Sequence, residues 1–485
     1  MRVLFCASEI VPLAKTGGLA DVAGALPAAL AARGVDVRLA MPRYRGISIE
    51  REHPGPVQVR VGERVLAGTV GEAHLPGGHL PVWLVDQPAL FDRPGLYGEG
   101  GTDYPDNLIR FTFFSRAVLQ WLRRDAWQPE VIHCNDWQTA LIPAVLAAEG
   151  RGPATAFTIH NLAYQGLFPA EQFPLTGLPG AMFTMRGLEF WGRVNLLKGA
   201  LYFADVLSTV SETYAREIQT EEFGAGLDGV LRDRAADLFG ILNGVDYSVW
   251  DPSVDTLIPA RYSADDLGGK AVCKQHLQQA FRLPAEPRTP LVGMVTRLAD
   301  QKGLDLVAEI INDLLGLGVQ FVLLGTGDPK YHALVEDLTA RRPGQVGGRL
   351  GFDNALAHLI EAGADLFLMP SRYEPSGLNQ LYSLRYGTVP VVRRTGGLAD
   401  SIVDTTPQTL EDGTANGFVF DAYTPAALWE ALRRALDAYR APAVWLSVQQ
   451  HGMRADFSWN RSAGRYLELY ERALSRHGRR RPAGP

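Results

Sequence analysis

Cysteine is nearly absent from this 485-residue sequence. Cys6, Cys134 and Cys273 are the only three, too few for a disulfide framework and without the CxxC or Cys/His spacing of a metal site. A reducing, intracellular compartment follows. Lysine is almost as scarce, six of the 47 basic residues, so a lysine inside a loop motif is poorly explained as generic surface charge. No apolar run approaches the roughly 18 residues of a membrane span. The start, MRVLFCASE, has only five apolar residues between Arg2 and Ser8, short of the roughly 7–15 of a signal-peptide core. Nor is there an excess of one charge: 47 basic against 53 acidic side chains give a net −6, with no footprint for nucleic acid or an anionic membrane. What is present is 46% hydrophobic and 21% charged residues, a folded globular composition. The length exceeds the roughly 250–300 residues of a single core, so two domains are expected.

The apolar runs are short, continuous and bounded by Gly, Pro or Asn. Residues 2–7, 35–41, 130–134, 154–160, 205–210 and 238–242 read as buried strands, and the second half repeats the pattern at 290–296, 319–325, 365–370 and 389–392. Continuous strands separated by helical stretches indicate parallel sheets covered on both faces. The fold class is therefore α/β, with two doubly wound, Rossmann-like domains. Residues 57–86 alternate instead, as a hairpin or small antiparallel edge does. ILNGVDYSVWDPSVD at 241–255 gathers Asn-Gly, Pro, Asp and Ser and marks the boundary, giving domains 1–243 and 244–456. Pro27 predicts a kink or break in the first helix. The basic, Pro- and Gly-rich tail RHGRRRPAGP reads as a frayed end.

Lys15-Thr-Gly-Gly-Leu-Ala-Asp21 recurs as Arg394-Thr-Gly-Gly-Leu-Ala-Asp400. Each copy is either a Gly-Gly turn opening a helix or an anion site at a helix N-terminus, the second reading being preferred for the first copy. Doubly wound sheets bind ligands at the carboxyl ends of their strands. Loops there carry Lys15 to Gly18, Asp136 in HCNDWQT and His160 in TIHNLAYQG. In the second half they carry Arg297 and Lys302 in TRLADQKG, GTGD at 325–328, and Glu374 in PSRYEPSGLNQ. Two cations at a strand-to-helix turn suit a diphosphate. GTG lacks the third glycine of a nucleotide fingerprint. Phe352 offers a flat face for a base or belongs to the core; Asp136 beside Trp137 contacts sugar or caps a helix; His160 is core or functional. Ser376-Gly377 is read as the start of the next helix, aiming the N–H groups of residues 376–378 beside Glu374.

KTGGLADV at 15–22, RPGLYGEGGTDYPDN at 93–107, HCNDWQTALIP at 133–143, TIHNLAYQG at 158–166 and ILNGVD at 241–246 resemble bacterial glycogen synthases and plastid starch synthases. So do TRLADQKGLDL at 296–306 and PSRYEPSGLNQLYSLRYGTVPVVRRTGGLADSIVD at 370–404. The matches run in order to about residue 470. The resemblance implies a GT-B fold, with two domains facing a central cleft and a C-terminal helix (about 457–478) joining the first. It also implies retaining transfer of glucose from ADP-glucose to the non-reducing end of glycogen or a maltooligosaccharide, in the cytoplasm, with no metal or cofactor. It places Lys15, Arg297 and Lys302 on the phosphates, with Gly18 in the loop beside them. Asp136, His160 and Asn243 fall on the glucose, with Glu374 as the essential carboxylate. Ser376, Gly377 and Leu378 supply N–H groups, Phe352 lies on adenine and Asp21 supports the ADP site. Glu9, Tyr97 and Trp137 fall on the acceptor side. Similar chains can carry cysteine at Ser376, so this chain departs there and needs no thiol. Three alternatives stay open: another GT-B glucosyltransferase using UDP-glucose or a small acceptor, an NAD-dependent oxidoreductase, and a silent glucan-binding protein.

Overall fold

The apolar runs become two sheets, one in each of two units, in a computed structural model that describes residues 1–75 and 80–480. Residues 76–79, inside the alternating stretch 57–86, and the tail residues 481–485 lie outside the described residues. The first unit is Met1–Gly244 with the segment from Trp459; the second is Val245–Ser458.

In the first unit, parallel strands run in the order Pro81–Asp86, Asp36–Pro42, Arg2–Cys6, Val131–Asn135, Ala154–Ile159, Val206–Thr209, Leu238–Gly240. By chain position that order is 3-2-1-4 and onward, the doubly wound arrangement. Arg64–His74 extends this sheet antiparallel to Pro81–Asp86 and also pairs with Val57–Val61. The alternating segment is therefore an antiparallel edge, as its pattern predicts. The helix Gly18–Ala32 runs through Pro27 unbroken. The proline is buried against the core, and that packing outweighs the hydrogen bond its missing N–H forgoes. The helix Trp459–Arg480 packs on Gly18–Ala32 and on three strands of this sheet. Tyr466 and Tyr470 are fully buried there, and the Tyr470 hydroxyl lies 2.8 Å from His133 Nδ1. The tail is thus helical through Arg480, with His477 Nδ1 3.3 Å from Asp205 Oδ2.

The second unit holds six parallel strands in the order Val346–Leu350, Gln320–Gly327, Leu291–Leu298, Leu366–Met369, Val389–Arg393, Phe418–Phe420. This too reads 3-2-1-4-5-6. Val346–Leu350 (VGGRL) and Phe418–Phe420 were not legible as strands, because paired glycines and a three-residue length give little apolar signal. Among the described residues, no helix is long and apolar enough to cross a membrane.

Candidate active site

Strand order reverses in the first unit between Arg2–Cys6 and Val131–Asn135, and in the second between Leu291–Leu298 and Leu366–Met369. Adjacent loops leave in opposite directions at such a point and open a crevice at the carboxyl ends of the strands. The four loops that emerge there carry Glu9 to Gly18, Asp136, Arg297 to Lys302, and Ser371 to Leu378.

In the first unit the loop after Arg2–Cys6 is organised by Glu9, which is buried. Its carboxylate accepts from Thr16 N (2.5 Å), Gly17 N (3.1 Å), Thr16 Oγ1 (2.7 Å) and the Tyr97 hydroxyl (2.7 Å). The N–H groups of Thr16 and Gly17, expected to face an external anion, are therefore already taken by an internal one. Lys15 Nζ sits 2.7 Å from Asp21 Oδ1, one turn into the helix. Burial raises the Asp21 carboxyl above its ordinary value, against the pull of Lys15.

Asp136 follows the neighbouring strand with φ +56°, a left-handed conformation that costs on the order of 1–3 kcal/mol outside glycine and gathers at functional sites. It does not cap its own helix. Its Oδ1 accepts the His160 N–H across the sheet at 2.8 Å, with a further bond from the Asn161 backbone. Burial pushes its carboxyl up to about 7, with Glu9 adding to the rise. The His160 ring meets Asn135 Oδ1 through Nε2 at 2.9 Å, while Asn135 Nδ2 donates to the Cys6 carbonyl. That arrangement puts the proton on Nε2, and burial holds the imidazole neutral, down to about 3. Asn243 is buried with no partner for its Oδ1.

In the second unit Arg297 is exposed on the penultimate residue of its strand, and its Nη2 donates to Gln301 Oε1 at 3.1 Å. Lys302 Nζ donates to Glu374 Oε2 at 2.6 Å, and Ser371 Oγ reaches the same oxygen at 3.0 Å. Gln301 binds the following segment, accepting from Arg372 N at its carbonyl (2.8 Å) and donating through Nε2 to Tyr373 O (3.1 Å). Gly303 makes this possible: it has φ +73°, and a Cβ there would stand 2.1 Å from Pro370 O.

The family described as the starch synthase catalytic domain matches residues 2–233, and that described as glycosyl transferases group 1 matches residues 277–445. Glycogen synthase 1 of Methylococcus capsulatus is 50% identical over 481 residues, 98% of this chain and 97% of that protein. A glycogen synthase of Anaeromyxobacter dehalogenans is 51% identical over 479 residues, 97% of this chain and 98% of that protein. The catalytic domain of starch synthase IV from Arabidopsis thaliana, solved bound to ADP and acarbose, superposes with TM-score 0.90 at 36% identity, covering 98% and 99% of the two chains. The chain belongs to the glycogen and starch synthase family. It is a glycosyltransferase of GT-B fold, and the hydride-transfer alternative is set aside.

Against that family background, several expectations need correction. Trp137, expected on the acceptor side, is core: it packs edge-on to Phe111 at 4.9 Å, and a Cβ at Gly166 would strike it. Phe352, left open between a core ring and a face for adenine, is 82% exposed, which removes only the core alternative. The helix after Glu374 begins at Asn379, with Leu378 as its N-cap. Ser376 and Gly377 thus form a turn before it, and Ser376 Oγ is buried without a partner. The second glycine pair supports this turn. Gly397 N donates to Glu374 O at 3.0 Å, and Cβ atoms at Gly396 and Gly397 would fall 1.9 Å from Glu374 O and Ser376 O.

Sequence reasoning missed Asn135, Gln301, Ser371 and Gln380, whose Nε2 donates to Ser376 O at 2.9 Å. The scarce lysines were the better signal. Besides Lys15 and Lys302, Lys330 pairs with Asp300 (2.5 Å) and Lys274 with Asp365 (2.6 Å). Lys270 donates to Thr388 Oγ1 (2.6 Å) and Lys198 to Met185 O (2.7 Å).

Proposed function

We propose that this enzyme transfers glucose from ADP-glucose to the non-reducing 4-hydroxyl of an α-1,4-glucan, with retention of configuration and release of ADP. The observation that carries the reading is the Lys302–Glu374 pair beside exposed Arg297 at the second unit's strand reversal. It supplies cations for a departing diphosphate and a carboxylate for sugar hydroxyls in one place.

In this reading the first unit serves the acceptor and the second the nucleotide sugar. Arg297, Lys302 and Lys15 neutralise the diphosphate, with Gly18 in the loop beside it and Asp21 supporting Lys15. Ser376, Gly377 and Leu378 present N–H groups to the leaving group, and Phe352 lies against adenine. Glu374, Asp136 and Asn243 bind the glucose. The His160 carbonyl lies near the anomeric carbon, its backbone held by the Asp136 carboxyl. As the anomeric C–O bond to phosphate breaks, the acceptor O4 attacks from the same face. Its proton passes to the departing phosphate oxygen, so no enzymic base is required. Exclusion of water protects the donor from hydrolysis. The reaction needs no metal or cofactor, and a cytoplasmic site suits the substrates.

The test is glucan extension from radiolabelled ADP-glucose or UDP-glucose with glycogen or maltotriose as acceptor. Extension from ADP-glucose supports the reading. Extension from UDP-glucose alone would move the enzyme to another donor, and nucleotide release without turnover of glycogen to a different acceptor.

A further inference from the structure

Of the nine tryptophans, Trp191 alone is exposed, at 84% of its surface. It forms, with Gly192, the two-residue turn of a hairpin between Glu189–Phe190 and Arg193–Asn195. Both turn residues have positive φ, +50° and +73°. That is the turn type that matches strand twist and normally takes Asn-Gly. A tryptophan here strains the backbone, and among the aromatic rings of the described residues it meets only Phe190, edge-on (centroids 6.3 Å apart, planes at 73°). Neither folding propensity nor core packing accounts for it.

The hairpin is held firmly. Buried Lys198 donates to the carbonyls of Met185 and Glu189, and Glu189 Oε1 accepts the Gly192 N–H at 2.8 Å. The small sheet it belongs to includes Leu167–Pro169, which leaves the His160 loop directly. Asn195 Nδ2 donates to Gln165 Oε1 at 2.7 Å, and Leu196 N to Gly166 O at 3.1 Å. Trp191 therefore stands on a rigid arm, four residues or about 13 Å of strand from the loop that carries His160. Tyr164 on that loop, and Met185, are also exposed.

We propose that Trp191 is a docking platform for a glucan chain, stacking on glucose rings removed from the transfer point. The proposal rests on the glucan-acceptor reading above. The surface suits a sugar better than a protein partner. A stable protein interface buries roughly 800 Å² per side, whereas here the turn offers one exposed indole, bordered in sequence by Phe190 and Arg193. A glucose ring presents an apolar C–H face rimmed by hydroxyls, which matches an aromatic face beside hydrogen-bonding groups. A platform already fixed in place loses little entropy on binding.

The experiment is affinity electrophoresis in gels containing glycogen, without donor, on wild type, Trp191→Ala and Trp191→Phe, with light scattering for oligomeric mass. Trp191→Ala is expected to weaken glycogen binding about tenfold, the loss of one good contact, and Trp191→Phe to recover most of it. In kinetics the KM for glycogen rises relative to that for maltotriose, while the KM for ADP-glucose does not follow. Unchanged glycogen affinity in Trp191→Ala overturns the platform. So does a fall in oligomeric mass at constant glycogen affinity, which would make the patch a contact between copies. If the alanine variant loses glycogen binding but wild type transfers nothing from ADP-glucose, the platform stands and the donor reading fails.

Discussion

Lys302 and Glu374 share one hydrogen bond of 2.6 Å across the strand reversal of the second unit. Each side chain is mostly withdrawn from water. A buried pair of this kind is weak evidence for stability, because desolvation offsets most of the attraction. Its cost is better explained by chemistry. The pair holds both side chains in place, and a substrate with a diphosphate at one end and hydroxyls at the other can divide them between its two parts.

A double-mutant cycle tests this. Glu374→Ala is expected to lower kcat by orders of magnitude with the melting curve retained. Lys302→Ala should cost about 10–150-fold in kcat/KM for ADP-glucose, the worth of one charged contact. If the two act as a unit, the double variant loses little more than Glu374→Ala alone. Strict additivity, or near-normal turnover of either single variant, would remove the pair from catalysis.

Phe352 supplies a second test. Being exposed, it contributes little to folding, so Phe352→Ala should melt with wild type. Base stacking on an aromatic ring is worth about 1–3 kcal/mol, so the KM for ADP-glucose should rise by about 5–150-fold while the KM for glycogen holds. Equal KM values for ADP-glucose would take the ring off the adenine.

The architecture was legible because buried parallel strands are continuous apolar runs, and LVGMV or VLSTV can be little else in a chain of this composition. The loops of the candidate site were legible as those at the carboxyl ends of the strands, where doubly wound sheets bind ligands, but the reversal of strand order between them was not. What could not be read was how loops support one another. Glu9 was placed on the acceptor side by resemblance alone, and nothing in the sequence shows that it closes the first glycine loop from inside. Phe352 stayed open between core and a face for a base, since exposure depends on what the tertiary fold brings to a strand end. Pro27 looks like a breaker, but burial of its ring held the helix together.

The two glycine pairs illustrate the same limit, identical in sequence and different in context. At Gly17 a Cβ would meet nothing within 4 Å, whereas at Gly396 and Gly397 it would meet the backbone of Glu374 and Ser376 at 1.9 Å. Gly17→Ala should leave the melting temperature near that of wild type. Gly396→Ala and Gly397→Ala should lower it and also depress kcat, because backbone cannot yield without moving the Glu374 turn. Activity assays and calorimetry on the three variants decide it. Tolerance at Gly396 or Gly397 would mean the second copy is only a turn.

Asp136 gives a pH-dependent prediction. Its folded carboxyl titrates at about 7, against an ordinary value of 3.8, so between those values the folded protein holds a proton that the unfolded chain has released. Stability from this group is therefore greatest at low pH and declines as pH rises through the window. Asp136→Asn has no proton to lose, keeps an acceptor for the His160 N–H and tolerates the positive φ. Its melting temperature relative to wild type should climb steadily across the window and level off above about pH 7. Parallel curves for the two proteins would show that Asp136 ionises at its ordinary value. The burial and the Glu9 repulsion credited here with raising it would then be too weak to tune the carboxyl that holds the His160 backbone.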